Sequence, residues 1–261
     1  MPSYTVNIDA ESHSRIRLYD FTTGQQNFYQ WLAGLLPSLS DKRVLELGAG
    51  NGHLWHTLLA QCRHTELLLT DINEGYLNQA KLELSESISN DCQLSFGTLD
   101  INALNLGGQR FDVVIANHNL FYAKDIELVL SQIAEHIKPG GMLVCSTVGS
   151  QHLHELVALL RQIDRELPWS SEKWADVFGL ENGYQQLIKN FDRVDQFEYD
   201  NKLHVTSIEP ILTYLHKTMK GALSPWVTQH EAELSHSLET LLSQSGKIRL
   251  TPASGFFIAY R

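Results

Sequence analysis

The chain has 261 residues, of which 43% are hydrophobic, and thirty acidic against twenty basic side chains give it a formal net charge of −10. The apolar share supports a substantial core, whether in one large domain or two small ones. With no run of Lys or Arg to offset the acidity, an extended polyanion such as nucleic acid is not an expected partner, because basic contacts to phosphate supply most of that affinity.

The amino terminus, Met1-Pro-Ser-Tyr-Thr-Val-Asn-Ile-Asp-Ala10, has neither the basic start nor the apolar stretch of a secretory signal. No window approaches the roughly twenty apolar residues of a membrane helix, so no membrane association is expected. Further on, Phe28, Trp31, Leu32 and Leu35 recur at spacings of three and four, predicting a helix within Thr23–Leu36 that packs on a sheet edge and ends near Pro37. Residues 1–42 thus read as an amino-terminal lid and helix.

From Val44 to Val148, short β-like runs alternate with helical ones, the pattern of a parallel sheet with crossover helices. The runs are Val44–Leu47, Leu67–Thr70, Gln93–Phe96, Phe111–Ala116 and Met142–Thr147. Between them Leu54–Cys62 and Tyr76–Leu84 suit helices, and Ile126, Val129, Leu130, Ile133 and Ile137 mark one apolar helical face. Lys138-Pro139-Gly140-Gly141 is expected to stop that helix and turn into the next strand.

His152–Leu167 reads as a further helix, and the Trp-, Glu-, Gly- and Tyr-rich stretch 168–190 as an inserted cap. Sheet-like runs return at Val194–Tyr199, Leu203–Val205 and Gly255–Tyr260, with helices expected over Ile208–Met219 and from Ser224-Pro225, where proline suits the first helical position. The expectation is a single α/β domain over 1–261, with a core of 43–148 plus 191–261, whose chain returns to its first sheet without building a second. Cys62, Cys92 and Cys145 are odd in number and widely spaced, which speaks against a disulfide framework and for a reducing cytoplasm. Cys145, within Met-Leu-Val-Cys-Ser-Thr, reads as a buried strand residue. His152 and His154 are the closest histidine pair, but positions two apart do not share a helical face and no ligand partner accompanies them, so no metal is expected.

The chemistry concentrates at Val44–Gly52, Val-Leu-Glu-Leu-Gly-Ala-Gly-Asn-Gly: an apolar strand, a carboxylate at Glu46, then glycines at 48, 50 and 52. Glycine lets a backbone leave a strand, turn sharply and approach a ligand closely. A nicotinamide or flavin site wants Gly-x-Gly-x-x-Gly, and an acid so placed would repel a pyrophosphate while suiting an ammonium group. The second run ends in Asp71, where a carboxylate can accept both hydroxyls of a ribose. The third leads to Asp100, within range of an adenine amino group, and the fourth to Asn117 and His118. Polar groups at four successive strand ends are what ligand binding at the carboxyl edge of a parallel sheet requires.

On these residues the chain resembles the class I S-adenosylmethionine-dependent methyltransferases. Glu46-Leu47-Gly48-Ala49-Gly50-Asn51-Gly52 resembles their glycine motif, Asp71 the ribose acid, Thr98-Leu99-Asp100-Ile101 the adenine-side acid, and Lys138-Pro139-Gly140-Gly141 the turn before their fifth strand. The match covers about Arg43 to Val148. The resemblance implies a Rossmann-like, doubly wound, seven-stranded sheet with an antiparallel last strand, here Gly255–Tyr260, and helical cap elements. It also implies S-adenosyl-L-methionine as cofactor, bound by Glu46, Gly48, Ala49, Gly50, Asp71, Ile72, Asp100, Ile101 and Asn117. The reaction implied is methyl transfer to a small or medium-sized acceptor by in-line displacement, the alternative being a non-catalytic binder of S-adenosylmethionine or S-adenosylhomocysteine.

His118 is the candidate to orient or deprotonate the acceptor, since imidazole titrates near neutrality, and Tyr122 is the second candidate. A sulfonium is already an activated leaving group, so in-line positioning alone supplies much of the acceleration and a base is not obligatory. Arg17 and Tyr19 precede the core and are placed to fold over the cofactor, Tyr19 as a cofactor contact, because a lid must exclude water from a reactive sulfonium. Trp169, Trp174, Phe178 and Tyr184 are candidates to line an apolar acceptor site, or simply to pack.

Overall fold

A computed structural model describes residues 17–261 except 86, 168 and 170; the expected lid segment 1–16 lies outside the described residues. In chain order the helices are α1 (Phe28–Leu35), α2 (His53–Leu58), α3 (Glu74–Leu84), α4 (Ile126–Glu135), α5 (His154–Ile163), α6 (Glu172–Phe178), α7 (Gly183–Leu187), α8 (Glu209–Lys217) and α9 (Ser224–Ser245). The strands are β1 (Arg43–Leu47), β2 (Glu66–Asp71), β3 (Gln93–Thr98), β4 (Phe111–Asn117), β5 (Ile137–Val148), β6 (Arg193–Tyr199), β7 (Leu203–Val205), β8 (Ile248–Leu250) and β9 (Ser254–Tyr260).

The chain divides into two compact units. One comprises Phe28–Ser150, Glu172–Tyr199 and Ala253–Arg261, and holds a seven-stranded sheet in the order β3-β2-β1-β4-β5-β9-β6. Strands β1 to β5 are parallel to one another, and β9 is antiparallel to both β5 and β6. Strand alternation sorts the core into two layers. Leu45, Leu47, Val114, Ala116 and Cys145 pack beneath Val129, Leu130 and Ile133 of α4 and Phe178 and Leu187 of α6 and α7. Val44, Leu67, Leu69, Val113 and Ile115 pack on the other face under Leu32, Trp55, Leu58, Ala80 and Leu84 of α1, α2 and α3. Helices thus cover both faces, as parallel strands buried on each side require.

Asn73 and Asp125 accept backbone N–H bonds at the starts of α3 and α4, supplying side-chain caps. The expected turn at Lys138–Gly141 lies instead inside β5. Helix α4 ends at Glu135, and Ile137 already pairs with Phe111, so Lys138–Gly141 form a bulge opposite Asp112 before Met142 pairs with Val113. Gly140 takes φ +77°, and a Cβ on Gly141 would sit 2.7 Å from the Asp112 carbonyl oxygen, which explains both glycines. Lys138 Nζ completes the bulge by bonding Asp112 Oδ2 at 2.8 Å.

The second unit contains the described residues of 1–27, together with Gln151–Ser171 and Asp200–Pro252. Its core joins Leu18, Leu156 and Leu160 of α5, Ile211 and Leu215 of α8, and Val227, Leu234 and Leu238 of α9. Pro225 stands in the first turn of α9, and Gly246, at φ +69°, ends it. Contrary to expectation, a second sheet forms here: β7 and β8 pair antiparallel, with Leu203, Val205, Ile248 and Leu250 buried and His204 and Arg249 between them. A three-residue run with two inward apolar positions suffices for that small ribbon, whereas β6 and β9 do return to the large sheet. The expected cap is also split, since α6 and α7 pack into the sheet unit while Trp169 and Ser171 belong to the other.

Candidate cofactor and active site

In the sheet unit β1 pairs with β2 on one side and β4 on the other, so the strand order reverses between β1 and β4. Ligands bind open α/β sheets in the crevice at such a reversal, outside the carboxyl ends of the strands. The glycine turn begins there. Gly48, Gly50 and Gly52 all take positive φ, at +67°, +57° and +82°, values that a side chain disfavours. A Cβ on Gly48 would lie 2.4 Å from Asn119 Nδ2 and one on Gly52 2.7 Å from Leu84 Cδ1, so both are glycine for packing. A Cβ on Gly50 would meet nothing within 4 Å. Its bare backbone faces open space, where a ligand can approach.

Glu46 is 2% exposed. Trp55 Nε1 donates to its Oε2 at 2.5 Å, and Asn117 Nδ2 donates to its Oε1 at 3.2 Å. Burial pushes its pKa up to about 7; the two N–H donors pull the other way, and the nearby Asp71 charge adds a smaller upward push. Asp71, at the end of β2, accepts from Gly50 N at 2.9 Å and from Asn73 N at 2.8 Å, which fixes the carboxylate against the turn. Leu99 N bonds the Asp71 carbonyl at 3.1 Å, drawing the end of β3 alongside, and Asp100 Oδ1 there accepts from Asn102 N and Nδ2. Ile72 is 62% exposed directly after Asp71, while Ile101 is partly buried against the core. An apolar side chain held in water beside a strand-end carboxylate offers a surface on which a flat group can rest.

At the end of β4, Ser146 Oγ donates to Asn117 Oδ1 at 3.0 Å and accepts from His118 N at 3.1 Å. His118 takes φ +47°, uncommon for a residue with a β-carbon, and its ring lies 5.0 Å from that of Phe28. Asn119 is buried: its Nδ2 donates to the Leu47 carbonyl, and its Oδ1 has no partner in the structure. Tyr122 follows in a 3-10 turn, Leu120–Tyr122, 38% exposed and edge-on to Phe121.

Glu46, Gly48, Ala49, Gly50, Asp71 and Asn117 are thus joined by direct hydrogen bonds or by the turn itself, with Asp100, Ile101 and His118 just past the adjoining strand ends and Tyr122 in the 3-10 turn that follows β4. Tyr19 belongs to the other unit, where its hydroxyl lies 3.1 Å from His152 Nε2. Phe178 and Trp169, candidates for an acceptor lining, are 0% and 1% exposed and taken up in packing, and Trp174 stacks on Phe121. The sequence reading missed Trp55 and Ser146 and gave Asn119 no role. A polar Ser146 ending an otherwise apolar run was the available signal; the indole partner of Glu46 had none. Among the described residues there is no cluster of three His, Cys, Asp or Glu that could hold a metal, and no helix is long and apolar enough to cross a membrane.

An open-faced glycine between a buried acid and a second strand-end carboxylate, beside an unpartnered amide oxygen, fits a ligand carrying an ammonium group and a ribose. Residues 45–143 match the family model described as a methyltransferase domain. A malonyl-[acyl-carrier protein] O-methyltransferase from Chlorobium luteolum is 26% identical over 214 residues, 80% of this chain and 76% of that enzyme. Two others of the same name align over 44% and 57% of their length, so the chain spans about half of each. The solved structure of YcgJ from Bacillus subtilis superposes with a TM-score of 0.59 at 13% identity, covering 89% of this chain and 97% of that one. An S-adenosylmethionine-dependent methyltransferase from Mesorhizobium loti gives 0.50 at 16% identity, covering 89% and 98%. The sheet order, the glycine turn and this domain match agree with one another: residues 45–143 are similar to a methyltransferase domain, and the fold is that of the solved methyltransferase structures.

Proposed function

We propose that the chain transfers a methyl group from S-adenosylmethionine to an oxygen of a small or medium-sized carboxylate acceptor, by in-line displacement. The single observation that carries the donor half is the arrangement of Glu46 and Asp71 on either side of the open-faced Gly50. The acceptor class is supported by the O-methyltransferase name of the relatives.

Glu46, with Asn117 beside it and Asn119 against Gly48, receives the ammonium end of the cofactor. Asp71 accepts from the ribose hydroxyls, Asp100 faces the adenine amino group, and Ile72 and Ile101 flank the heterocycle. When bound, S-adenosylmethionine supplies a methyl group on a cationic sulfur, which leaves without help from an acid. A carboxylate acceptor is ionised at neutral pH, so no base has to remove a proton from it. His118 and Tyr122 then act by orienting the acceptor oxygen, and alignment supplies the acceleration.

The test is incubation of the full chain with methyl-labelled S-adenosylmethionine and a panel of acyl thioesters, with malonyl-pantetheine first and acetyl-pantetheine as the acceptor lacking a free carboxylate. A labelled, base-labile methyl ester on the malonyl compound alone is the expected product. Binding of S-adenosylhomocysteine with no ester from any acid would overturn the acceptor class, and no binding would overturn the donor site.

A further inference from the structure

Strand β5 crosses the sheet as Met142-Leu-Val-Cys-Ser-Thr147, and Ser146 is the position at which it pairs with Asn117 of β4. Ser146 is fully buried, and a buried hydroxyl is costly unless its hydrogen and its oxygen both find partners. Here both do. Oγ accepts from His118 N at 3.1 Å and donates to Asn117 Oδ1 at 3.0 Å. The Asn117 side chain then donates from Nδ2 to Glu46 Oε1 at 3.2 Å, so a continuous run of hydrogen bonds leads from a backbone N–H to the buried acid.

The direction of that run is set at one end. A backbone N–H only donates, so Oγ accepts from His118 and its own hydrogen is left for Asn117. That hydrogen requires an oxygen on the facing side of the Asn117 amide, which turns Nδ2 toward Glu46. The reversed amide would leave the Ser146 hydrogen unpaired in the core and set Oδ1 against a carboxylate. Each bond also polarises the next, strengthening the donor that meets Glu46. Around this carboxylate, Trp55 of α2 and Asn117 of β4 are neutral donors, and Asp71 of β2 is the charged group that acts on it. With alanine at 146, His118 N keeps the carbonyl oxygen of that residue as an acceptor, at 3.1 Å in the native chain, so the turn is held while the amide loses its guide.

We propose that Ser146 is a positioning residue for the cofactor: its hydroxyl fixes the Asn117 amide with its N–H side toward Glu46, so that the acid is held ready for an ammonium group. This rests on the placement of the ammonium group at Glu46 proposed above. The effect is confined to the pH range in which Glu46 titrates. Above that range the carboxylate charge turns the amide by itself. Near pH 7, to which burial pushes the acid, the two amide orientations compete and the hydroxyl decides between them. A side chain that only filled space would matter equally at every pH.

The full wild-type chain and Ser146→Ala are titrated calorimetrically with S-adenosylhomocysteine between pH 6 and pH 8.5. Losing the guided N–H donor disfavours the ionised acid, so the midpoint of the variant's binding profile is expected to move up by about one pH unit. Affinity then falls about fivefold at pH 7 but less than about twofold at pH 8.5. In an Asn117→Ala background the same serine substitution is expected to change affinity by less than about twofold at pH 7, because it acts through the amide. In the wild type, the Asn117 side-chain N–H resonances are expected to move through a titration centred near pH 7, a reading that needs no variant to fold. Wild-type affinity in Ser146→Ala at pH 7, an equal loss at both ends of the pH range, an undiminished loss in the Asn117→Ala background, or amide resonances that stay fixed while Glu46 titrates each overturns the role of Ser146. A wild-type chain that fails to bind S-adenosylhomocysteine overturns the cofactor site instead, so the two failures are told apart.

Discussion

The buried Glu46 carboxylate receives the Trp55 indole N–H at 2.5 Å, tying the acid of β1 to helix α2 beneath the cofactor turn. The bond is specific, but it does not fully compensate the loss of water, and the acid titrates near neutrality for that reason. A carboxyl group whose folded pKa lies above its unfolded value contributes stability that is fully present below the unfolded value, here 4.5, and is lost as pH rises through about 7. Above that, the charged acid costs the empty protein about 3 kcal/mol. Glu46→Gln removes the charge but turns an amide N–H toward the donors of Trp55 and Asn117, returning about 1 kcal/mol. Its net expectation is about 1–2 kcal/mol of added stability at pH 8, shrinking toward pH 5, measured by urea unfolding across that range.

The same titration governs the ligand. A cationic ammonium group favours charged Glu46, so binding below pH 7 has to expel a proton and weakens by up to about tenfold per pH unit. Calorimetry of S-adenosylhomocysteine in buffers of different ionisation enthalpy is expected to show proton release at pH 6 and none at pH 8.5. Glu46→Gln should bind weakly at both. An affinity flat from pH 6 to 8 would separate Glu46 from the ammonium group.

Asp71 makes a different prediction, because it lies partly exposed and already accepts from Gly50 N and Asn73 N. Asp71→Ala leaves those two N–H groups to water and the ribose hydroxyls without an acceptor. The expected loss is about 1–3 kcal/mol of cofactor affinity, with little change in thermal stability. Unchanged affinity would remove the residue from the ribose site.

Much of the donor half is legible in the sequence, because it uses short-range signals. Glycines at 48, 50 and 52 report a backbone that needs positive φ, and a strand ending in Asp71 reports a carboxylate at a sheet edge. The α4 stripe of Val129, Leu130 and Ile133 likewise states its own buried face. What sequence could not show depends on contacts between distant segments. The Trp55–Glu46 bond requires α2 to lie under β1, and the Ser146 link to Asn117 and His118 requires β5 beside β4. Lys138–Gly141 forms a bulge where the sequence predicts a turn, because a glycine pair looks the same in both; only the pairing of Phe111 with Ile137 separates them. The β7–β8 ribbon was missed because Ile248-Arg-Leu is too short to declare a strand without its partner.

The glycine turn can be dissected by paired substitutions. Gly48→Ala adds a left-handed strain of about 1–2 kcal/mol and drives a methyl into Asn119, whose amide holds the Leu47 carbonyl. It is expected to destabilise by about 2–4 kcal/mol. Gly50→Ala has similar strain and no neighbour, so about 1 kcal/mol is expected, yet its methyl occupies the space through which a ligand would approach. Cofactor affinity should therefore fall by at least about tenfold in the variant that unfolds less readily. Were Gly50→Ala to bind as wild type does, the open face would belong to no ligand.

His118 separates orientation from proton removal. Ser146 holds its left-handed backbone from both the hydroxyl and the carbonyl oxygen, so the imidazole is presented from a fixed base. If the acceptor is an already ionised carboxylate, His118→Asn, which keeps a hydrogen-bond donor, should retain more rate than His118→Ala. Losses of about fivefold and about fiftyfold in kcat are expected, with S-adenosylhomocysteine affinity unchanged in both. At saturating cofactor the wild-type kcat should stay flat between about pH 6.5 and 8.5, because no proton is removed from the acceptor. Tyr122→Phe tests the second candidate in the same assay, and a loss of about fivefold or more would place its hydroxyl on the acceptor. A wild-type kcat that climbs through neutral pH, with the climb abolished in His118→Asn, would instead make His118 a general base and the acceptor a group that must lose a proton.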